Sequence, residues 1–456
     1  MQPVKHILSD LKIRASYGVN GNQPGSLYGY MGLYAFGQSY MGGSGSYESS
    51  IPNSNLGWEK NYNLNVGVDV SFINRIFLSV EYYNRDTKDL LYSLPISATT
   101  GFTNYLSNVG QLNNRGVELE LRTINFANDN FNWTTVFNLS HNKNKIVSLN
   151  GQLEQSIEGT WFIHKVGLPY HTFYVKEYAG VNPDTGKAMY YRNQEIPQED
   201  GTVIIDRSLT ENAGEAQAIP YKSVNPKVSG GLTNMLNYKW LDLSFTLTYS
   251  LGGYSYDKTG TYIENGTSNI YNSKYNLPVY AMDRWQEPGD QTNVPRFVYG
   301  EDAGPQNSSR YIHSTDHLRL KNLTLGFTLP SEWTRKALID KARIYFSGSN
   351  LLTWAKWKQY DPRNSGQRRS VLRGTRHAYL QFRRTINFLK NELDYETTLY
   401  LFSCRLTGMY LLFGQLAGPE SVHVRTHRPG LYYAGECPDS PERHLPSGFG
   451  TQLLWR

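Results

Sequence analysis

The chain has 456 residues, of which 39% are apolar against about 45–50% in ordinary globular chains, yet it carries 35 Tyr and 41 Gly. A chain this aromatic is not disordered; scarce aliphatics with many Tyr, Gly, Asn and Ser argue for extended strands, wet surfaces and frequent turns. The net charge of +6 lies in residues 362–456, which hold 13 basic and 7 acidic groups, so residues 1–361 are neutral and give no ground for nucleic-acid binding.

The opening "MQPVKHILSDLKIRAS" lacks the apolar core of a secretory signal. No run of about 18 apolar residues is present to make a membrane helix. The expectation is therefore a cytosolic chain or one that begins inside something larger, and the pattern that follows favours the second. Both cysteines, Cys404 and Cys437, fall in the tail, so no disulfide or thiol chemistry is available in residues 1–361.

Strand-like alternation begins clearly at "LNVGVDVSF", where Leu64, Val66, Val68, Val70 and Phe72 oppose Asn65, Gly67, Asp69 and Ser71. "GVELELRT" sets Val117, Leu119 and Leu121 against Glu118, Glu120 and Arg122. "WTTVFNLS" and "LDLSFTLTYSLG" repeat the pattern, the latter with Leu241, Leu243, Phe245, Leu247, Tyr249 and Leu251 on one side. Because successive strand side chains point to opposite faces, each run has one apolar and one wet face. Several alternations continue for roughly 10 residues, beyond the mean globular strand of about 5–6 and matching the length a tilted strand needs to cross a bilayer.

The predicted strands pair into hairpins: residues 61–73 with 76–90, 107–126 with 131–148, 228–238 with 241–252, and 316–329 with 341–354. Their joints are short: Asn74-Arg75, "ANDN", Lys239-Trp240, and the helix-prone "PSEWTRKALIDK". Longer stretches at 19–60, 91–106, 149–227 and 253–315 separate the hairpins. This short–long alternation is the rule of outer-membrane barrels, with tight periplasmic turns and long outer loops. Within the third stretch, Pro183-Asp184-Thr185-Gly186 has the chemistry of a hairpin turn. "MGGSGS", Met41–Ser46, lacks the following helix and Lys of a phosphate cradle and is expected to be a plain flexible loop.

Eight segments also resemble one family: "LKIRASYGVNGNQ" (Leu11–Gln23), "LGWEKNYNLNVGVDVSF" (Leu56–Phe72), "VEYYNRDTKDLLY" (Val80–Tyr92), "TTGFTNYLSNVGQLNNRGVELEL" (Thr99–Leu121), "FNLSHNKNKIVSL" (Phe137–Leu149), "YAGVNPDTGK" (Tyr178–Lys187), "HLRLKNLTLGFTLP" (His317–Pro330) and "ARIYFSGSNLLTWAKWKQYDP" (Ala342–Pro362). In this order they resemble the C-terminal barrel half of the SusC/RagA-like, TonB-dependent outer-membrane transporters of Bacteroidetes. The resemblance implies an all-β fold: part of an antiparallel transmembrane barrel of about 22 strands, incomplete here. It further implies outer-membrane localisation, import of oligosaccharides or peptides, a SusD-like lipoprotein lid, surrounding outer-membrane lipid, and energy from TonB in the full-length protein. The TonB box, plug and early strands of that family have no counterpart here, so the chain is expected to be a fragment, non-functional alone, covering the barrel over residues 1–361. Past "YDP" the text shifts abruptly from Lys to Arg. This is expected of a frameshift near Asp361–Arg369, leaving residues 362–456 an aberrant, disordered tail in which "YLQFRRTINF" (Tyr379–Phe388) is a fortuitous strand-like run. Reading the encoding DNA in its other two frames tests this.

No constellation of catalytic residues stands out, and the chain is read as neither an enzyme nor a cofactor carrier. Glu118 and Glu120 share a wet face, as lumen-lining charges do. His141, His164, His171, His313 and His317 have no metal-ligand spacing. Cys404, His423, His427 and Cys437 are zinc-ligand types, but 32 residues part the cysteines, unlike the close pairs of zinc fingers. In the long loops Trp161, Tyr170, Tyr174, Tyr190, Tyr191, Tyr271, Tyr275, Tyr280 and Trp285 are able to stack on sugar rings or to pack the loops themselves. Trp161, Tyr190, Tyr191 and Trp285 are the candidates for substrate contact. Trp58, Trp133, Trp240, Trp333, Trp354 and Trp357 lie near strand ends, where membrane-interface girdles are expected. The competing reading is a soluble, extracellular carbohydrate-binding or adhesive β protein. As a sandwich or solenoid it would have shorter strands and no systematic short–long alternation of loops, and a sandwich would interlock the apolar faces between two stacked sheets. A β-rich glycoside hydrolase would need a carboxylate pair in a cleft, which nothing singles out.

Overall fold

The computed structural model describes residues 7–149, 155–158, 161–263, 277–298, 307–337, 339–357 and 379–388. All belong to one unit, Met1–Tyr410, of the two into which the chain divides. Ten strands form the wall: β1 (Leu8–Asn22), β2 (Glu59–Phe72), β3 (Ile76–Lys88), β4 (Gln111–Ala127), β5 (Phe131–Ser148), β6 (Val228–Tyr238), β7 (Leu241–Leu251), β8 (His317–Thr328), β9 (Ile339–Ala355) and β10 (Tyr379–Phe388). They lie side by side in chain order, every pair antiparallel, with β1 and β10 on the two edges of an open sheet.

The faces decide the architecture. On the face of β1 and β2 that carries Leu11, Ile13, Leu64, Val66 and Val68, these side chains are between 37 and 71% exposed. The opposite face is polar and tied across strands, as where Thr87 donates to Asn61 at 2.7 Å. Among the described residues no second sheet covers these apolar side chains, which do not interlock between stacked sheets as a sandwich would require. A sheet greasy outside and hydrogen-bonded inside is built for lipid on one side and water on the other.

The wall strands match the predicted hairpins to within a few residues, and four expectations change. β1 runs to Asn22, so the first long stretch begins later than residue 19, and it carries its own hairpin, Tyr34–Tyr40 with Gly43–Glu48. "MGGSGS" is therefore a tight turn leading into a strand, with Met41 at φ 52° and Gly42 at φ 83°, and not a plain loop. In the β2–β3 joint the central pair is Ile73-Asn74 (φ 53° and 52°), one residue earlier than predicted, and Arg75 N–H donates to the Phe72 carbonyl at 2.9 Å. Two successive positive φ values give the primed turn whose twist suits a two-residue hairpin. Finally, Tyr379–Phe388 pairs with β9 from Ile339↔Phe388 to Ser349↔Tyr379, so the sheet continues past residue 361.

At the short-turn end, "PSEWTRKALIDK" contains the expected helical turn, α1 (Ser331–Thr334), followed by a 3-10 turn, Arg335–Ala337. Close packing within the wall twice sets glycine opposite tyrosine, at Gly116 with Tyr83 and at Gly230 with Tyr249. Gly116 lies directly opposite Tyr83, and a Cβ there would meet the phenol carbon at 2.6 Å, so only glycine admits the ring, whose hydroxyl donates to Asn142 at 3.1 Å.

At the other end the long stretches fold into small sheets. One joins Gln155–Glu158, Phe162–Lys165, Thr172–Lys176 and Ala218–Ser223; another joins Tyr178–Val181, Ala188–Tyr191 and Leu209–Thr210. Smaller two-stranded sheets pair Leu91–Pro95 with Asn104–Asn108, Gln194–Pro197 with Val203–Asp206, and Tyr254–Tyr256 with Ile312–Ser314. Their cores are modest: Phe173, Val175 and Ile312 in one, and Ala188, Tyr190 and Ala216 in the other.

Candidate functional site

The polar face of the wall is a lattice of cross-strand pairs. Arg14 on β1 donates from Nε to Asp69 on β2 at 2.8 Å and from Nη1 to Glu81 on β3 at 3.2 Å, while Ser79 Oγ donates to Asp69 at 2.7 Å. Strand register brings these groups together, since Lys12 opposes Asp69, which opposes Ser79. Glu118, Glu120 and Arg122 on β4 continue the charged face and are exposed. Glu118 accepts from Ser140, its cross-strand partner, at 3.2 Å. Among the described residues no group of three His, Cys, Asp or Glu side chains is placed to hold a metal; Cys404, His423, His427 and Cys437 lie outside the described residues.

The long-excursion end holds the candidate aromatics, and the structure sorts them. Trp161 packs on Tyr256 with ring centroids 4.0 Å apart and is half-buried. Tyr191 lies under the Arg207 guanidinium at 4.6 Å and keeps part of its ring exposed. Trp285 covers the Pro183–Gly186 turn: its Nε1 donates to the Pro183 carbonyl at 2.7 Å, and its ring occupies the space a Cβ on Gly186 would need. Tyr190 is 1% exposed in the core of its small sheet, which corrects its reading as a substrate-contact residue: its ring is packed and offers no surface. Tyr271 and Tyr275 lie outside the described residues.

A contact that sequence spacing concealed joins two excursions. Tyr92, from the hairpin after β3, bonds His164 Nδ1 at 2.8 Å, and His164 stacks on Tyr170 at 4.3 Å. His171 lies 5.8 Å from His164, ring to ring, so two of the scattered histidines meet in an aromatic box. Electrostatics at this end favour ionised carboxylates. The Thr185 hydroxyl and the Asn182 amide hold Glu211 below the usual carboxylate range, and Ser208 does the same for Asp206. His313 behaves oppositely: burial, then the nearby Arg310 charge, lower its pKa to about 4.

Aromatic side chains also mark the wall's borders. At the short-turn end Phe126, Phe131, Trp133 and Tyr238 form a chain of ring contacts at 5.7–6.4 Å, with Trp240 beside them in the turn under Lys239. The Trp133 Nε1 group donates to Asn234 at 2.9 Å and Thr135 donates to the same oxygen at 2.7 Å, so polar groups on the apolar face satisfy one another. Trp333 lies in α1, and Trp58 and Trp354 sit exposed near strand ends on the excursion side. Trp357 departs from the expected girdle: it stacks on His313 at 4.5 Å and belongs to the folded excursions.

A lipid-facing, water-lined antiparallel wall with short turns at one end and folded loops at the other defines an outer-membrane β-barrel protein. The profile described as "TonB dependent receptor-like, beta-barrel" matches residues 6–351, and the chain belongs to that family. It is 30% identical over 389 residues to TonB-dependent receptor P3 of Formosa agariphila, covering 79% of this chain and 37% of that protein. It is 29% identical over 381 residues to TonB-dependent receptor SusC of Bacteroides thetaiotaomicron, covering 78% and 35% respectively. The structure of the RagAB peptide transporter superimposes with a TM-score of 0.68 at 30% identity, over 78% of this chain and 38% of that one. The chain thus spans little more than a third of the length of the relatives it matches.

Proposed function

We propose that this chain forms wall and outer loops of a TonB-dependent importer of oligosaccharides or peptides, working beneath a SusD-like lipoprotein lid and energised through TonB by the whole receptor. The observation that carries this reading is the two-faced sheet: apolar side chains exposed on one side, Arg14, Asp69, Glu81 and their neighbours tied into a polar lattice on the other. Such a wall performs no bond chemistry; it borders a conduit, and the loops above it select what enters. Trp161 and Tyr191 are the candidate substrate contacts, since both keep part of a ring accessible. Trp285 acts by shaping the turn it covers.

Uptake of labelled oligosaccharide and labelled peptide by cells carrying the full-length receptor tests the reading. Trp161→Ala and Tyr191→Ala are expected to raise the half-saturating substrate concentration roughly tenfold each, the loss of about 1.4 kcal/mol of stacking, at unchanged receptor level. Unchanged uptake in both variants removes these residues from the substrate path, and uptake of neither substrate class removes the importer reading.

A further inference from the structure

Two adjacent rows of the outward face gather three cations, one row pairing like charges directly. Arg115 on β4 stands directly opposite Lys143 on β5, and in the next row Asn113 opposes Lys145. His141, in the row of Val117, bonds through Nδ1 to the Lys227 backbone carbonyl at 2.6 Å. Like charges directly across an antiparallel pair are destabilising, yet Arg115, Lys143 and Lys145 are exposed and make no ion pair among the described residues. The one carboxylate in these rows, Asp86 on β3, accepts from Asn113 at 2.8 Å.

The position of the cluster is specific. It continues the apolar face of Val117, Leu119 and Leu121 on β4 and of Phe137 and Leu139 on β5, at the excursion end. The Arg115–Lys143 row lies one side-chain repeat beyond Val117, about 7 Å along the strand. With Val117 as the last residue facing hydrocarbon and strands tilted by about 45°, that is roughly 5 Å along the membrane normal, inside the headgroup layer of about 5–8 Å, while Lys145, one repeat further, reaches back from the aqueous side of that layer. Cations at this depth meet lipid phosphates and not acyl chains.

We propose that Arg115, Lys143 and Lys145 form a binding site for a phosphate-bearing lipid headgroup on the outer surface of the wall. The bound phosphate offsets the Arg115–Lys143 repulsion, and the lipid seals the β4–β5 hairpin at the membrane border. This rests on the reading of the wall as membrane-embedded and adds a ligand that the import path does not use.

The test titrates the full-length receptor, extracted from outer membranes into detergent micelles, with fluorescently labelled lipid A, against a variant carrying R115Q, K143Q and K145Q. Each cation near a membrane surface contributes about fivefold in affinity, so the triple variant is expected to bind roughly 100-fold more weakly. Inorganic phosphate in excess is expected to leave lipid A bound. Without lipid the variant is expected to unfold at equal or higher denaturant than the parent, which separates lost binding from lost folding. Equal binding by both chains overturns the site; full displacement by inorganic phosphate overturns its assignment to a lipid. A receptor recovered in the soluble fraction and not in the membrane overturns the membrane reading and the site with it, whereas membrane recovery with unchanged binding overturns the site alone.

Discussion

His313 is held neutral by its surroundings: Trp357 stacks on it at 4.5 Å, and burial with the Arg310 charge places its pKa at about 4. In an unfolded chain an imidazole titrates near 6.5, so the folded form binds its proton less readily. The resulting stability is fully present above about pH 6.5 and is lost as pH falls toward 4, up to about 3 kcal/mol. Unfolding of the excursions followed by tryptophan fluorescence should therefore shift to lower denaturant between pH 6.5 and 4, and His313→Phe should flatten that dependence. An unchanged pH profile in the variant would dismiss His313 as its source. Glu211 braces its own neighbourhood, accepting from Thr185 Oγ1 and from Asn182 Nδ2, both at 2.6 Å, across the base of the Pro183–Gly186 turn. Hydrogen bonds to a charged acceptor contribute about 1.5–3 kcal/mol each, so Glu211→Gln should expose the turn to protease and speed amide exchange at Gly186. The turn itself was legible from Pro183 to Gly186. Its carboxylate brace was not, because Glu211 lies 26 residues from Thr185 along the chain.

Among the elements, the wall hairpins were readable because period-two alternation and tight turns are local signals. The β2–β3 turn shows where that reading slips: Ile73, a β-branched residue, adopts φ 53° at a position suited to Asn or Gly. Left-handed backbone costs an L-residue about 1–2 kcal/mol. Ile73→Gly should therefore stabilise the hairpin by about 1 kcal/mol, read as a higher denaturant midpoint in micelles; a lower midpoint would show that the Ile73 side chain itself stabilises the turn. Loop elements were harder. "MGGSGS" has the composition of a flexible linker, yet Tyr34–Tyr40 supplies partner groups to Gly43–Glu48 and makes a strand of it. Trp357 sits next to a wall strand in sequence but packs with His313, since a ring near a strand end is free to turn either to lipid or to a loop.

For the whole molecule, the open order of ten strands leaves the outer edges of β1 and β10 with no strand partner among the described residues. Each unpaired backbone group placed in hydrocarbon costs several kcal/mol, which favours edge-to-edge association over a lone open sheet. The chain refolded in detergent is therefore expected to run as associated species by light scattering, without the heat-modifiable monomer band of a closed barrel. A monodisperse, heat-modifiable monomer would contradict the open sheet. The same arrangement accounts for the strand at Tyr379–Phe388: a run that looks fortuitous by itself gains a full set of partners once β9 offers its edge.

The sequence by itself determined the all-β class, the two-faced strands and the ends at which turns are short or long. Those properties depend on neighbours one or two residues away and on the thickness of a bilayer. Only the tertiary structure decided that Arg14 reaches Asp69 and Glu81, that Tyr92 meets His164, and that Tyr190 is packed while Tyr191 keeps an open face. Such partners come from strands and loops tens of residues apart, and strand register, which no single segment encodes, sets which side chains meet.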